Sequence, residues 1–235
     1  MSLFETRDTL RKKALLAGLV FLSFEIVLFL FIDKPVSLYI ANLDGSQSGL
    51  VDFFRRITDL GKGAWYLWPC GLAALFCAFL SRGKEVPPAV RHLFGYVGVR
   101  ALFLFATIGL SGIAANILKV LFGRARPKLF LREHLYGFAP LSFDGSLWAS
   151  LPSGHTTTAF ALAFSLAALY PRGRILWFAY ALLLAASRIM VNAHYVSDTL
   201  AGAALGGLTV WLFSKYGMNH LAKVIFPIDS RERTP

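Results

Sequence analysis

The chain has 235 residues, 56% of them hydrophobic and 16% charged. A soluble globular domain averages about 25% charged residues; here the apolar excess falls in runs of membrane-spanning length, which excludes an ordinary soluble domain. The formal charge of +11 does not point to nucleic acid, because the basic residues stand mainly in short loops between apolar runs, where they set topology and meet anionic lipid.

Six spans are predicted, in one membrane-embedded domain over residues 1–235. The first is Ala14–Ile32, behind Arg11, Lys12 and Lys13. It is longer than a signal-peptide core of about 7–15 residues, and Asp33-Lys34-Pro35 is a poor cleavage site, so it reads as a retained span. Glu25 stands inside it. An intramembrane carboxylate is a functional candidate by default, but nothing near it in sequence forms a site, and it reads as protonated or paired with another helix. A loop is expected over Asp33–Gly63. Within it Val51–Leu60 forms a short amphipathic helix, with Phe53, Phe54 and Ile57 on one face and Asp52, Arg55, Arg56 and Asp59 on the other. That pattern suits a surface helix at the interface without a function of its own, with substrate guidance as the alternative.

The second span, Ala64–Ser81, opens with the aromatic belt Trp65, Tyr66 and Trp68. Its two cysteines, Cys70 and Cys77, stand roughly 10 Å apart along a helix, too far for a disulfide. The third span is roughly Gly95–Leu118, the fourth Gly154–Tyr170, the fifth Ile175–Val191 and the sixth about Thr199–Phe213. Gly202, Ala203, Gly206 and Gly207 give the sixth span small-residue spacing suited to close packing inside the bundle. Arg7 and Arg11 to Lys13, then Arg82, Lys84 and Arg91, then Arg172 and Arg174, then Lys215 and Lys223 all fall on one side. The positive-inside rule assigns that side, and both termini, to the cytoplasm.

With this topology the unusual polar residues gather at the opposite face. Pro152 cannot sit inside a helix and Ser153 is a good N-cap, so a helix starts at Gly154. Its free N–H groups and positive dipole end suit a phosphate, and Gly154 permits close approach. His155 adds a proton donor in the first turn. Lys119 and Arg126, seven apart, lie near one helix face if the helix continues to Gly123; Arg124 lies on another azimuth. A basic cluster at a helix end also suits headgroup snorkelling. His194 and Asp198, spaced i and i+4, let a carboxylate reach an imidazole, fix its tautomer and leave the other nitrogen nucleophilic; such a pair serves equally as a helix cap. Three cations, two histidines, a carboxylate and a helix N-terminus together make an inventory for phosphoryl transfer.

Three stretches carry a resemblance: Lys119, six residues, then Arg126-Pro127; Pro152-Ser153-Gly154-His155; and Ser187-Arg188, five residues, His194, three residues, Asp198. Together they resemble the signature of the phosphatidic acid phosphatase type 2 superfamily, the lipid phosphate phosphatases related to vanadium-dependent haloperoxidases. The motif core spans about residues 95–216. The resemblance implies that Lys119, Arg126 and Arg188 bind phosphate, with Ser153 and the Gly154 N–H completing the cradle. It implies that His194 attacks phosphorus, Asp198 holds its ring, and His155 protonates the leaving oxygen. It implies no metal and no cofactor, and His92, His134 and His220 form no ligand-spaced cluster.

The expectation is an all-α bundle of six membrane helices, integral to a bacterial inner membrane, with its active site on the periplasmic side. The partners are a lipid phosphate and the bilayer. The expected activity is metal-independent hydrolysis of phosphatidylglycerophosphate, phosphatidate, an isoprenyl diphosphate or a lipid A phosphate. The loop Lys128–Trp148, with Phe130, Leu131, Tyr136, Phe138, Phe143 and Trp148, is expected to tune that choice. The rival reading is a transporter that binds an anion in the same basic cluster without hydrolysis. A channel would carry polar residues through the depth of several spans, whereas here they gather at one end.

Overall fold

The computed structural model describes residues 3–45, 49–83, 85–141 and 145–226. Lys84 and Phe143, named above, lie outside them. Among the described residues the fold is all-helical: α1 (Leu3–Val27), a π-helical turn (Leu28–Ile32), α2 (Asp33–Gly45), α3 (Gly49–Ile57), α4 (Ala64–Ser81), α5 (Pro88–Phe122), α6 (Pro127–Glu133), α7 (Gly154–Leu169), α8 (Arg174–Met190), α9 (Val196–Leu212) and α10 (Met218–Ile225). Five helical stretches are long and apolar enough to cross a membrane: Arg11–Gly45, Gly49–Ser81, Pro88–Phe122, Pro171–Met190 and Val196–Gly217. The remaining expected span, α7, has 16 residues and falls short of that length.

Helix α7 is the hub of the bundle, packed against α5, α8 and α9. Its sequence explains this position. Small side chains let neighbours close in, and Thr156, Thr157, Ala159, Ala161 and Ala163 are all buried. The small-residue stripe of α9 faces α7: a Cβ built on Gly202 would stand 2.7 Å from the Ser153 carbonyl, and one on Gly206 2.7 Å from the Thr157 carbonyl. Backbone approach of this kind is what small residues allow between membrane helices. Around this centre Phe103, Ile108, Leu162 and Val210 form an apolar core, while Leu15, Leu16 and Leu19 of α1 and Leu72, Leu75 and Phe79 of α4 stay exposed on the outside, as befits helices solvated by lipid.

Two expectations are corrected. The first helix does not stop at Ile32. It continues through the π-helical turn into α2, ending at Gly45, so the expected loop at Asp33 is helical and Asp33 is 1% exposed. A carboxylate buried there needs partners, and it has them: the N–H and hydroxyl of Ser197 and the guanidinium of Arg124. The second correction concerns the end of α5. The helix stops at Phe122, and Gly123 takes the left-handed conformation, φ 56°. A Cβ there would overlap the Ala139 carbonyl, so only glycine fits. The chain reverses, and Arg126 sits in extended backbone as the N-cap residue of α6. Lys119 and Arg126 therefore do not share one helix face.

Candidate active site

Four pieces of chain meet at one end of the bundle: the end of α5 with residues 123–126, the segment 149–155, the end of α8 with its 191–195 turn, and the start of α9. Backbone bonds tie them together. Arg126 N–H donates to Leu147 O at 2.8 Å, Ser150 N–H to Arg124 O at 3.1 Å, and Ser153 N–H to Asp198 O at 2.9 Å. The 191–195 turn is pinned from α2, where Asn192 Nδ2 donates to Ser37 O at 2.8 Å and Ser37 Oγ donates back to Asn192 Oδ1 at 2.9 Å.

His194 is 3% exposed. Its Nδ1 stands 2.8 Å from the Ser150 carbonyl oxygen. A carbonyl only accepts, so Nδ1 carries the proton and Nε2 keeps its lone pair. Burial pulls the His194 pKa down to about 4, against the neighbouring Asp198, so the ring is neutral at physiological pH. The expected direct bond to Asp198 is corrected: Nδ1 and Asp198 Oδ2 are 3.7 Å apart, beyond hydrogen-bond reach. Asp198 acts one step back. Its Oδ2 accepts from Ser150 Oγ at 2.5 Å and from Tyr195 N–H at 2.9 Å, and its Oδ1 accepts from Arg124 at 2.5 Å. Ser150 is therefore the link between carboxylate and imidazole, which no motif position signalled.

Arg124 is the other residue that spacing missed. It is 1% exposed. Its Nη1 reaches Asp198 and Ser197, and its Nη2 reaches Asp33 at 2.6 Å. Burial opposes the guanidinium charge, but Asp198 and Asp33 outweigh it and raise its pKa. Tyr195, at 4.6 Å, and Phe29, at 5.0 Å, pack their rings against it.

The remaining cations face a different environment. A Cβ on Gly154 would lie 3.1 Å from Lys119 Nζ, so the ammonium sits at the start of α7, an end of the helix that suits an anion. Arg188 donates through Nη1 to the Thr58 hydroxyl, and Arg126 donates through Nη2 to Ala149 O at 3.2 Å. Burial lowers the Arg126 pKa. The Nε atoms of Arg126 and Arg188 are buried without a protein acceptor. Ser153 is fully buried; its hydroxyl does not cap α7 but accepts from Thr156 Oγ1 at 3.0 Å. The His155 ring packs on Gly61, where a Cβ would stand 2.8 Å from His155 Cδ2. The turn Thr58–Gly61 after α3 thus belongs to the site wall rather than to a detached surface helix.

The stretch Lys128–Trp148, expected as a loop, begins in helix α6 and packs aromatic residues on the first helical stretch. Tyr136 stacks on Phe29, centroids 4.7 Å apart, and its hydroxyl donates to Phe29 O at 2.6 Å. Phe138 stacks on the same ring at 5.4 Å. Beside the site Phe138 borders an open apolar groove of about 720 Å³ between α1, α5 and α9, lined also by Phe21, Glu25, Phe122, Pro152 and Leu205 among others.

Comparison with known proteins fits this arrangement. The sequence profile of the PAP2 superfamily matches residues 100–221. The chain is 40% identical to a lipid A 1-phosphatase from Rhizobium etli, over 73% of this chain and 78% of that one. It is 37% identical to a lipid A 1-phosphatase from Rhizobium johnstonii, over 69% and 67%. A transmembrane PAP2-type phosphatidylglycerolphosphate phosphatase from Bacillus subtilis shares the fold, with a TM-score of 0.55 and 22% identity over 86% of this chain and 96% of that one. An all-helical membrane scaffold, two histidines and a cationic cluster at one end of it, and a superfamily match across that same region lead to one assignment: the chain belongs to the PAP2 superfamily and is a membrane phosphatase.

Proposed function

We propose that this phosphatase removes a phosphate from a membrane glycolipid of the lipid A type, at the periplasmic face, through a phosphohistidine on His194. The observation that carries the reading is the locked tautomer of His194. With Nδ1–H held by the Ser150 carbonyl, Nε2 is a neutral nucleophile at one end of the bundle that also holds Lys119, Arg126, Arg188 and His155.

In the proposed reaction the three cations and the N–H groups at the start of α7 grip the phosphate oxygens. Nε2 attacks phosphorus in line while the bond to the lipid oxygen breaks. His155 gives its proton to that leaving oxygen. Water then attacks the phosphohistidine, with His155 taking a proton from it, and inorganic phosphate leaves. No residue needs a metal for these steps.

The lipid nature of the substrate rests on the groove, whose walls come from α1, α5 and α9 and which borders Pro152, the residue before the phosphate cradle. A chain lying there keeps its headgroup beside Ser153. The named activity of the two Rhizobium relatives supports lipid A 1-phosphate among the four candidate lipids. The positive-inside rule supports cytoplasmic termini and α7 as a sixth, centrally buried span.

The test is a panel assay. Purified protein in detergent, with EDTA present, is given lipid A, phosphatidate, phosphatidylglycerophosphate and undecaprenyl diphosphate, and phosphate release is followed. Preferred release from lipid A supports the reading. Preferred release from another member of the panel overturns the substrate, and no release from any lipid overturns the reaction.

A further inference from the structure

The motif residues do not account for Asp33. It lies outside the segment that matches the superfamily, in the first helical stretch, and is buried beside the nucleophile's support. Its Oδ1 accepts the Ser197 N–H at 3.1 Å, and its Oδ2 accepts the Ser197 hydroxyl at 2.5 Å and Arg124 Nη2 at 2.6 Å. It shares Arg124 with Asp198, which takes the other guanidinium nitrogen. The three groups form a closed, buried trio of two carboxylates and one guanidinium.

The charge count is what makes Asp33 informative. Arg124 and Asp198 alone would be a neutral pair. Asp33 leaves the trio with one net negative charge. In the resting site Lys119 and Arg126 lie within reach of that charge, but in the proposed reaction the substrate phosphate takes up those cations. When Nε2 bonds to phosphorus, the imidazole keeps its Nδ1 proton and becomes cationic, and the charge of the trio answers it. Its Nδ1 is then 3.7 Å from Asp198 Oδ2, with Ser150 joined to both groups. In a site shielded from water such a charge is felt strongly.

We propose that Asp33 is a positioning residue for the phosphohistidine step: it supplies the negative charge that Arg124 would otherwise cancel, so that Asp198 can stabilise the cationic ring. The first helix is thereby part of the active site. Asp33 and Ser37, one turn apart on α2, hold the start of α9 and the turn before His194. This inference rests on the phosphohistidine reading of the preceding subsection.

The test compares three variants of the full chain in detergent, with lipid A and phosphatidate as probes. Asp33→Asn keeps the shape and leaves a balanced Arg124–Asp198 pair. It is expected to lower kcat about tenfold or more, with KM changed less than about twofold; the melting temperature falls as well, because the Asn amide nitrogen faces a donor at one of the two oxygen positions. The fraction of enzyme carrying phosphate on His194 at steady state, read by alkaline quench and mass spectrometry, is expected to fall with it. Asp33→Glu keeps the charge and is expected to recover most of the kcat. Ser197→Ala removes a contact but no charge and is expected to lose less than about threefold.

An Asp33→Asn kcat within twofold of wild type overturns the proposal, as does a change confined to KM. If Asp33→Asn does not fold, the other two variants decide: a tenfold loss in either means that contact geometry matters rather than charge, and the proposal fails. Wild-type protein that hydrolyses lipid without ever carrying phosphate on His194 overturns the phosphohistidine reading itself, a result distinct from an indifferent Asp33.

Discussion

The two histidines of this site stand in opposite settings. His194 is enclosed, its ring fixed by the Ser150 carbonyl and backed by a trio of buried charges. His155 leans on a glycine, in company with cations whose Nε atoms have no protein acceptor. Behind His194 the charges are paired with one another, although Arg124 Nε and the Tyr195 hydroxyl also lack a protein partner; the phosphate half is proposed to be completed by substrate. The difference matches the chemistry proposed for each half. A nucleophile gains from fixed geometry, whereas a phosphate cradle must keep positive charge unmatched until the anion comes.

The comparison breaks most completely at the proposed nucleophile. If His194 forms the phosphohistidine, His194→Ala is expected to lower kcat by about a thousandfold or more in a protein that still folds. Phosphate release assays on purified variant check this, and retained hydrolysis removes His194 from its role. Next comes the support behind it. Arg124→Gln leaves Asp33 and Asp198 buried together without a cation, and breaking such a network costs about 3–5 kcal/mol. A melting temperature close to wild type would mean that the trio contributes little.

The enclosed setting also has a pH signature. The folded His194 pKa, about 4, lies below the ordinary 6.5. As pH falls below 6.5 the unfolded chain binds a proton that the folded chain does not. Stability is therefore complete above pH 6.5 and falls toward pH 4, by on the order of 3 kcal/mol from this group. Melting curves between pH 7 and 4.5 should show the loss, and His194→Gln should reduce it. Parallel losses in both proteins would contradict the burial argument.

The open half gives the smallest effect. Gly61→Ala puts a methyl group where the His155 ring now packs, close to its Cβ as well as its Cδ2. The ring must shift, and kcat is expected to fall a few-fold to tenfold while the melting temperature changes little. Unchanged kcat would show that His155 has room to move without consequence.

Much of this was legible in the sequence because it is local. Pro152 and Ser153 mark the start of α7, apolar runs mark the membrane helices, and the small residues of α9 foretell close packing inside the bundle. The motif residues announce their chemistry by type and spacing. What stayed hidden depends on contacts distant in the chain. Asp33 falls just past the apolar run that ends at Ile32, and its burial depends on Arg124, 91 residues away. Ser150 acts through its backbone carbonyl, which no side-chain pattern encodes. Arg124 was set aside for pointing away from Arg126, and it does, toward two carboxylates whose nearness only the fold creates.

The most direct test of the account is the intermediate. Wild-type protein turning over lipid A is quenched in alkali, digested and searched for a phosphorylated histidine. The account predicts phosphate on Nε2 of His194 and none in His194→Ala. Steady turnover with no phosphate on His194, or with phosphate on His155 instead, would contradict it.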